Sequence, residues 1–430
     1  MQHKGNIFFR GFRFLSRYGA FGRKRQIITA FSYEENAGYN VNELKWERAY
    51  QEIKEQYTEI RVHKLWSTRI GEYIVRYLAA AEDVKVNAEK GILDIFVLSD
   101  CKEHNSRLSK VMGRHIAIID TDNIDLWAYI LKRFPKVEFT KYWDEYALKN
   151  NNRFRYSKDT VQYFTLTEEE NAEAAYKKAL MGLKDSFVCA LSRDPQYLAA
   201  IEPGADNSYH DYRDSDINKL MLSADYLSRQ NITVVRMGRY VKNKVSFGNC
   251  IDYANNHYDE LMDIILMKEC KFYIGDPNGV SFLPMVLNRP VALKNYVPVF
   301  LNSESFPYHP QSLYIFKKYY LKKEDRFLSV KEMMQIEKGA RHNRRYNRNL
   351  YEKFGIEIIE NSAEEILDLV MEMNARIDGE WIEKAEDAEL QEKYQEIYKE
   401  WCQKQQYKES EILHFRVGTM FLRKNPFLLE

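Results

Sequence analysis

From Glu59 onward the chain alternates short apolar runs with amphipathic segments, and this strand-helix-strand rhythm excludes most folds at once. IRVHKLW reads as a strand, STRIG as a turn, and EYIVRYLAAAE as a helix whose Ile74, Tyr77, Leu78 and Ala81 fall at i, i+3, i+4 and i+7. The strand DIFVLSD follows, then the helix NSRLSKVMGR with Asn105 or Ser106 as cap, the strand HIAIID, and the helix IDLWAYILKRF stopped by Pro135. Such spacing means βαβ units and a parallel sheet. After an aromatic, polar connector near residues 140–165 comes a charged helix, with Thr167 as cap and Glu170 placed for a capping box.

A second series starts at Ser186. FVCALS, ITVVRMG, KFYIG and PVALKN read as strands, with helices through DINKLMLSADYLSRQ, YDELMDIILMKE and VSFLPMVLN. The expected architecture is therefore α/β, with two Rossmann-like domains facing a central cleft and helical N- and C-terminal extensions. The expected divisions are an arm and helix over 1–57, a first Rossmann-like domain over 58–180, a second over 181–330, and a helical region over 331–430 packing back on the body. A length of 430 residues suits two or three domains at about 100–200 residues each. In the last region Leu390, Tyr394, Ile397 and Trp401 form an apolar seam, open between a coiled-coil contact and packing on the body.

A net charge of +1 gives no electrostatic reason to expect nucleic acid as partner. The charge is unevenly placed, however. Arg10, Arg13, Arg17, Arg23, Lys24 and Arg25 interleave with aromatic residues across 7–25, a pattern suited either to an anionic membrane surface or to docking on the folded body. Five widely spaced cysteines without a CxxC pair point to free thiols in a reducing compartment. No run approaches the roughly 18 apolar residues of a membrane span, and no signal peptide is recognisable, so a cytoplasmic location, peripheral on the inner membrane through the arm, is expected.

In open α/β sheets ligands sit beyond the carboxyl ends of strands. The residues at those ends in the second half are Arg193 and Asp194, Arg236 and Gly238, the turn from Gly275 through Asp276, Asn278 and Gly279 to Ser281, and Asn295. Arginines bind phosphate oxygens bidentately, and a helix entered through a tight turn points backbone N–H groups at one spot, so a diphosphate site is expected. The polar insert with Tyr209, Arg213, Asp214, Ser215 and Asp216 is long enough to reach a ligand, with Asp214 or Ser215 alternatively capping the next helix. Candidate bases are Asp216, Asp194 and His63. Asp120 and Asp122 in IAIIDTDN have the shape of a metal-binding Asp-x-Asp, though helix capping accounts for them as well, and no metal is assigned. HxxxH, Walker A and GxSxG are absent, which disfavours zinc hydrolases, P-loop kinases and α/β hydrolases.

Taken in order, FVCALSRDPQYL, SYHDYRDSDI, VVRMG, IDYA, CKFYIGDPNGVSFLP and NRPVALKN resemble a family of bacterial glycosyltransferases of surface-polysaccharide and lipopolysaccharide loci, distantly similar to fucosyltransferase-like enzymes of the GT-B fold. RIGEY and RVGTMFL match more weakly. The resemblance implies transfer from a nucleotide-sugar donor, held mainly by the second half, to a glycan, lipid-linked or protein acceptor, without metal or other cofactor. It places Arg193 near the donor diphosphate, with Arg236, Asn278, Gly279 and Ser281 beside it. Asp276 stands where the family carries a small hydroxyl residue, and Leu191 where it carries a histidine. An aspartate facing a diphosphate is unfavourable, so Asp276 is expected to turn away, bind a ribose or alter donor preference. The competing readings are a nucleotide-sugar epimerase on the same scaffold and a non-catalytic sugar-nucleotide sensor or assembly protein; the oligomeric state stays open.

Overall fold

The computed structural model describes residues 39–65, 69–98, 105–119, 124–133, 158–299, 309–341, 348–404 and 416–430. The expectations for the basic arm, for Asp120 and Asp122, and for Cys101 concern residues outside these. Two compact units divide the chain: the first is N-terminal with Gln162–Leu166 added, and the second takes the stretch ending at Val161 and then Thr167–Glu430. Both are α/β.

In the first unit β1 (Glu59–Leu65), β2 (Ile92–Leu98) and β3 (Ala117–Ile119) form a parallel sheet in that order. Helix Ile70–Ala88 makes the crossover from β1 to β2. Val62, Leu93, Ile95, Val97 and Ala117 from the strands share one core with Trp46, Ile53, Leu126 and Tyr129. Asn105 is the residue that caps helix Ser106–Met112, accepting from Leu108 N at 2.8 Å.

The second unit contains β4 (Phe187–Leu191), β5 (Thr233–Arg236), β6 (Cys250–Ile251), β7 (Tyr273–Gly275), β8 (Val291–Tyr296), β9 (Leu313–Phe316), β10 (Lys318–Leu321), β11 (Arg326–Phe327), β12 (Ile356–Ile359) and β13 (Arg416–Val417). Seven of these form one sheet in the order β13-β9-β8-β7-β4-β5-β6, every pair parallel. Their side chains are buried from β4 through β9, apart from the short edge strand β6, as expected of strands covered on both faces. Helix Glu168–Leu180 opens this unit with the capping box expected from sequence: Thr167 Oγ1 accepts from Glu170 N at 3.2 Å, and Glu170 Oε2 from Thr167 N at 3.0 Å.

The expected helical region over 331–430 also carries two strands, β12 and β13. β10 pairs antiparallel with β11 and β12 in a small separate sheet, and β13 adds an edge to the main one. The apolar seam of helix Ala385–Lys404 packs on its own unit, since Tyr394, Ile397 and Trp401 are buried and the Tyr314 hydroxyl donates to the Tyr394 hydroxyl at 2.6 Å. Among the described residues no helix is long and apolar enough to cross a membrane.

Candidate functional site

The strand order of the second sheet reverses once. From β4 the chain moves outward through β5 and β6; it then returns to the other side of β4 and moves outward again through β7, β8 and β9. The loops leaving β4 and β7 therefore part in opposite directions and open a crevice at the carboxyl ends of these two strands, the place where open α/β sheets bind ligands.

Charged side chains from five segments meet there. Arg193 follows β4, Asp276 follows β7, Lys294 lies late in β8 and Lys317 follows β9. The fifth segment is the 3-10 turn Ser208–Arg213 and the residues after it, which bring Arg213, Asp214 and Ser215. Arg193 pairs with Asp214 in a close contact. Arg213 donates to Pro277 O at 2.9 Å, and Lys317 donates to Tyr212 O at 2.9 Å and Asp214 O at 2.7 Å. Asp276 lies at the centre, 1% exposed. One of its oxygens accepts from Lys294 Nζ at 2.7 Å and Asn295 Nδ2 at 3.1 Å, and the other from Arg193 N at 2.6 Å and from the Ser215 hydroxyl. Lys294 also reaches Ser192 Oγ at 2.9 Å and Ser215 Oγ at 3.1 Å.

Asp276 has thus turned away from the crevice. Its carboxylate is saturated by four donors and neutralised by Lys294, so it repels nothing that binds outside and instead orders the loops that line the site. Gly275 makes this turn possible, because a Cβ there would stand 2.3 Å from Tyr273 Oη. Asn295, with φ of +54°, exchanges hydrogen bonds with Asn361 at 2.7 and 2.8 Å and so ties the end of β8 to the segment after β12.

The turn itself differs from the expected spray of free N–H groups. Asn278 Oδ1 accepts from Val280 N at 2.8 Å and Ser281 N at 3.2 Å, and Ser281, 2% exposed, donates its hydroxyl to Asn278 O at 2.6 Å. An asparagine at this position competes for the N–H groups that helix entry would otherwise release. Helix Phe282–Val286 is also short. Positive potential at this crevice comes from side chains more than from the helix end.

That potential has a clear source. Among the described residues, four cations, Arg193, Arg213, Lys294 and Lys317, gather around the carboxylates of Asp214 and Asp276, with Arg193 paired to Asp214 and Lys294 to Asp276. Among the described residues Arg213 and Lys317 hydrogen-bond only to carbonyl oxygens. Lys317 is 2% exposed, and burial pushes its ammonium down to about 8 despite the nearby Asp276 and Glu360. Burial, and then the charge of Arg193, likewise lowers Arg213. Asp214 is pushed up to about 6 by burial, which outweighs Arg193 and Lys317. An incoming anion would favour the charged forms of Lys317 and Arg213 and oppose that of Asp214.

Other residues singled out in the sequence lie elsewhere or do other work. Arg236, 3% exposed, points inward to Asp252 Oδ1 at 2.8 Å, and Asp252 also accepts from Val245 N and Asn255 Nδ2; this pair braces the loop after β5. Gly238 in that loop has φ of +141° and would place a Cβ 2.8 Å from Val241 Cγ1. Asp194 caps helix Pro195–Ile201 through Gln196 N at 2.9 Å and holds Lys242 N at 2.8 Å. Asp216, exposed, caps the 3-10 turn Ile217–Leu220 through Asn218 N at 2.9 Å, the role expected of Asp214 or Ser215. Tyr209 is 42% exposed on the turn that carries Arg213, and Gly279 sits in the β7 loop. His63 belongs to the first unit, 5% exposed, with Nε2 at 2.7 Å from Asp94 Oδ1; burial works against the Asp94 carboxylate, but hydrogen bonds from His63 and Asn87 hold it below its usual range.

Lys294, Lys317, Ser192 and Asn361 escaped the sequence reading. The available signal was a lysine within or just after an apolar strand, in VALKN and LYIFKK, where a parallel sheet buried on both faces leaves a charge no exit except the carboxyl edge.

No protein-family model matches the chain, and no curated protein matches it. Among solved structures it is similar to a glycosyl transferase family 9 protein from Veillonella parvula DSM 2008, at 14% identity and a TM-score of 0.40 over 74% of this chain and 98% of that one. It is also similar to the ADP-heptose LPS heptosyltransferase II of E. coli, at 12% identity and a TM-score of 0.34 over 54% and 84%. A third likeness, to the wall teichoic acid polymerase TagF, has 11% identity and a TM-score of 0.23 over 82% and 100%. At these values none carries an argument, and function is argued from the chain's own residues.

Proposed function

We propose that this chain is a glycosyltransferase that binds the diphosphate of a nucleotide-sugar donor at the carboxyl edge of the second sheet. The observation that carries the reading is the gathering of half-buried Arg193 and Arg213 and buried Lys317 and Lys294 around two carboxylates at the strand-order reversal. When a sugar leaves a nucleoside diphosphate, negative charge grows on the diphosphate, and fixed cations in a partly dry crevice stabilise that change more than they stabilise the bound donor. In this reading Arg193 and Arg213 form the clamp and Lys317 adds the third charge. Asp276, Asn278, Ser281 and Asn295 hold the loops, Gly275, Gly238 and Gly279 let them approach closely, Arg236 braces the loop after β5, and Tyr209 is a candidate contact to the donor.

The first unit is assigned to the acceptor, a glycan, lipid-linked or protein group of bacterial surface-polysaccharide synthesis. Asp216, beside Ser215, is the most open of the candidate bases; each of the three would have to leave a structural partner, Asn218 for Asp216, Gln196 for Asp194 and Asp94 for His63. With side chains supplying the countercharge, turnover is expected to persist in a metal chelator. The test is a panel of nucleotide sugars with and without acceptor, scored for released nucleoside diphosphate. Release that requires acceptor supports transfer; interconversion of the donor identifies an epimerase, and tight binding without turnover a sensor, either of which overturns the proposal.

Binding should also depend on pH in a definite sense. A nucleotide sugar keeps constant diphosphate charge above neutrality, so the protein's own titration decides. It binds the protonated form of Lys317, whose folded pKa is about 8, and affinity is expected to fall as pH rises through 8, by up to tenfold per unit. Titration calorimetry from pH 6.5 to 9.5 would show the decline in the wild type and a flat profile in Lys317→Met. The arm over 7–25 is assigned to the inner-membrane surface of a cytoplasmic enzyme. Removing the first 25 residues is expected to lower recovery in the membrane fraction while sparing activity on a soluble acceptor, and equal recovery would end that assignment.

A further inference from the structure

At the opposite, amino-terminal edge of the second sheet lies a cavity of about 190 Å³, lined by Gln311 and Leu313 at the start of β9, Arg416 at the start of β13, and Arg376 and Trp381. Helix Ala363–Asp378 ends here. Gly379, with φ of +74°, reverses the chain, and Trp381 N donates back to Ala375 O at 3.1 Å, which folds the indole over the helix end with the Arg376 guanidinium 5.0 Å from its ring centre.

Hydrogen-bond accounting around this cavity does not balance. Among the described residues, Arg376 Nη2, Trp381 Nε1 and Arg416 Nε are buried and have no hydrogen-bond acceptor. Glu372, fully buried, is committed: it takes Arg376 Nε at 2.9 Å, Thr419 N at 2.6 Å and Thr419 Oγ1 at 2.8 Å. Glu383 on the rim makes a close pair with Arg416 Nη2 but stands 3.6 Å from Arg376 Nη2, outside hydrogen-bond reach. Three N–H groups from three segments, two of them on guanidinium groups, thus border one cavity. Buried donors without acceptors are costly, and a native protein rarely gathers several in one place.

We propose that this cavity is a second binding site, for a small oxyanion-bearing ligand, a carboxylate or a phosphate. The three unsatisfied groups are all donors, so an acceptor would satisfy them, and a charged acceptor suits two guanidinium groups best. The volume admits a group of this size and excludes a nucleotide sugar. Glu383 holds Arg416 closely and Arg376 only loosely from the rim, with its side chain 34% exposed, so it acts as an internal competitor that the ligand displaces. The site is separate from the crevice: Leu313 and Lys317 lie at opposite ends of β9, about 13 Å apart along the strand.

Calorimetry on the full chain with inorganic phosphate and with malonate, against chloride at matched ionic strength, tests the proposal. Glu383→Gln is expected to tighten binding at least fivefold by weakening the competitor. Trp381→Phe, which deletes one N–H and keeps the ring, is expected to weaken it at least fivefold, and both variants should retain wild-type affinity for nucleotide sugar. Binding of one anion alone identifies the ligand class. Binding no stronger than chloride's, or equal binding in wild type and both variants, overturns the proposal.

Discussion

Asp276→Ala is expected to destabilise the protein by about 3–5 kcal/mol, because it leaves the fully buried Lys294 ammonium without its counter-ion. Lys294 would keep only the hydroxyls of Ser192 and Ser215, and Arg193 N would lose the carboxylate that fixes it. Replacing both charges, as Asp276→Leu with Lys294→Met, removes the attraction and the desolvation together and should recover most of the loss. Urea titration of the two single variants and the double variant provides the check: a double variant as unstable as Asp276→Ala would show that the pair does more than neutralise itself. The result also bears on Asp276 as the position where the chain departs from the family it resembles. A changed residue at a ligand contact should alter binding with little effect on stability, whereas a buried strut does the reverse.

Arg213→Ala is expected to weaken nucleotide-sugar binding about 10- to 100-fold, with little change in stability. A charge-assisted hydrogen bond is worth about 1.5–3 kcal/mol when lost, and about 1.4 kcal/mol is tenfold in affinity. Arg213 is a cleaner probe than Arg193. Its one hydrogen bond goes to Pro277 O, so truncation strands no carboxylate, whereas Arg193→Ala leaves half-buried Asp214 without its partner and mixes a folding effect into the binding result. Calorimetry beside thermal melting separates the two. Unchanged affinity at unchanged stability would remove Arg213 from the proposed site.

How much of this was legible in the sequence depended on how local the cause was. The strands β1 to β5, β7 and β8 and the capping box at Thr167 follow from neighbours within a few residues, and they stand close to where the pattern puts them, whereas the two-residue β6 lies in a polar stretch that carries no strand pattern. Arg193 and Arg213 were identified because they follow a strand or sit in a polar insert. The Lys294–Asp276 pair was not, since it joins residues 18 apart on adjacent strand ends and becomes visible only once β7 and β8 lie side by side. The inward turn of Arg236 was equally hidden. A strand-end arginine reads the same whether it meets a ligand or Asp252, and the pairing depends on how the loop after β5 returns. β9 to β13 are two to four residues each, too short for alternation to register.

The edge strand β13 pairs only with β9, joining Arg416 to Leu313 and Val417 to Tyr314 across about a hundred residues of intervening chain. Val417, Phe421, Leu428 and Leu429 are buried, and Thr419 engages Glu372 on helix Ala363–Asp378. During synthesis, β4 to β9 therefore emerge well before the segment that covers their exposed flank. For that interval a nascent chain presents an open, unpaired backbone edge at β9, the kind of surface that chaperones bind and that neighbouring nascent chains can join. Translation through residues 416–429 is what covers that edge at Leu313 and Tyr314.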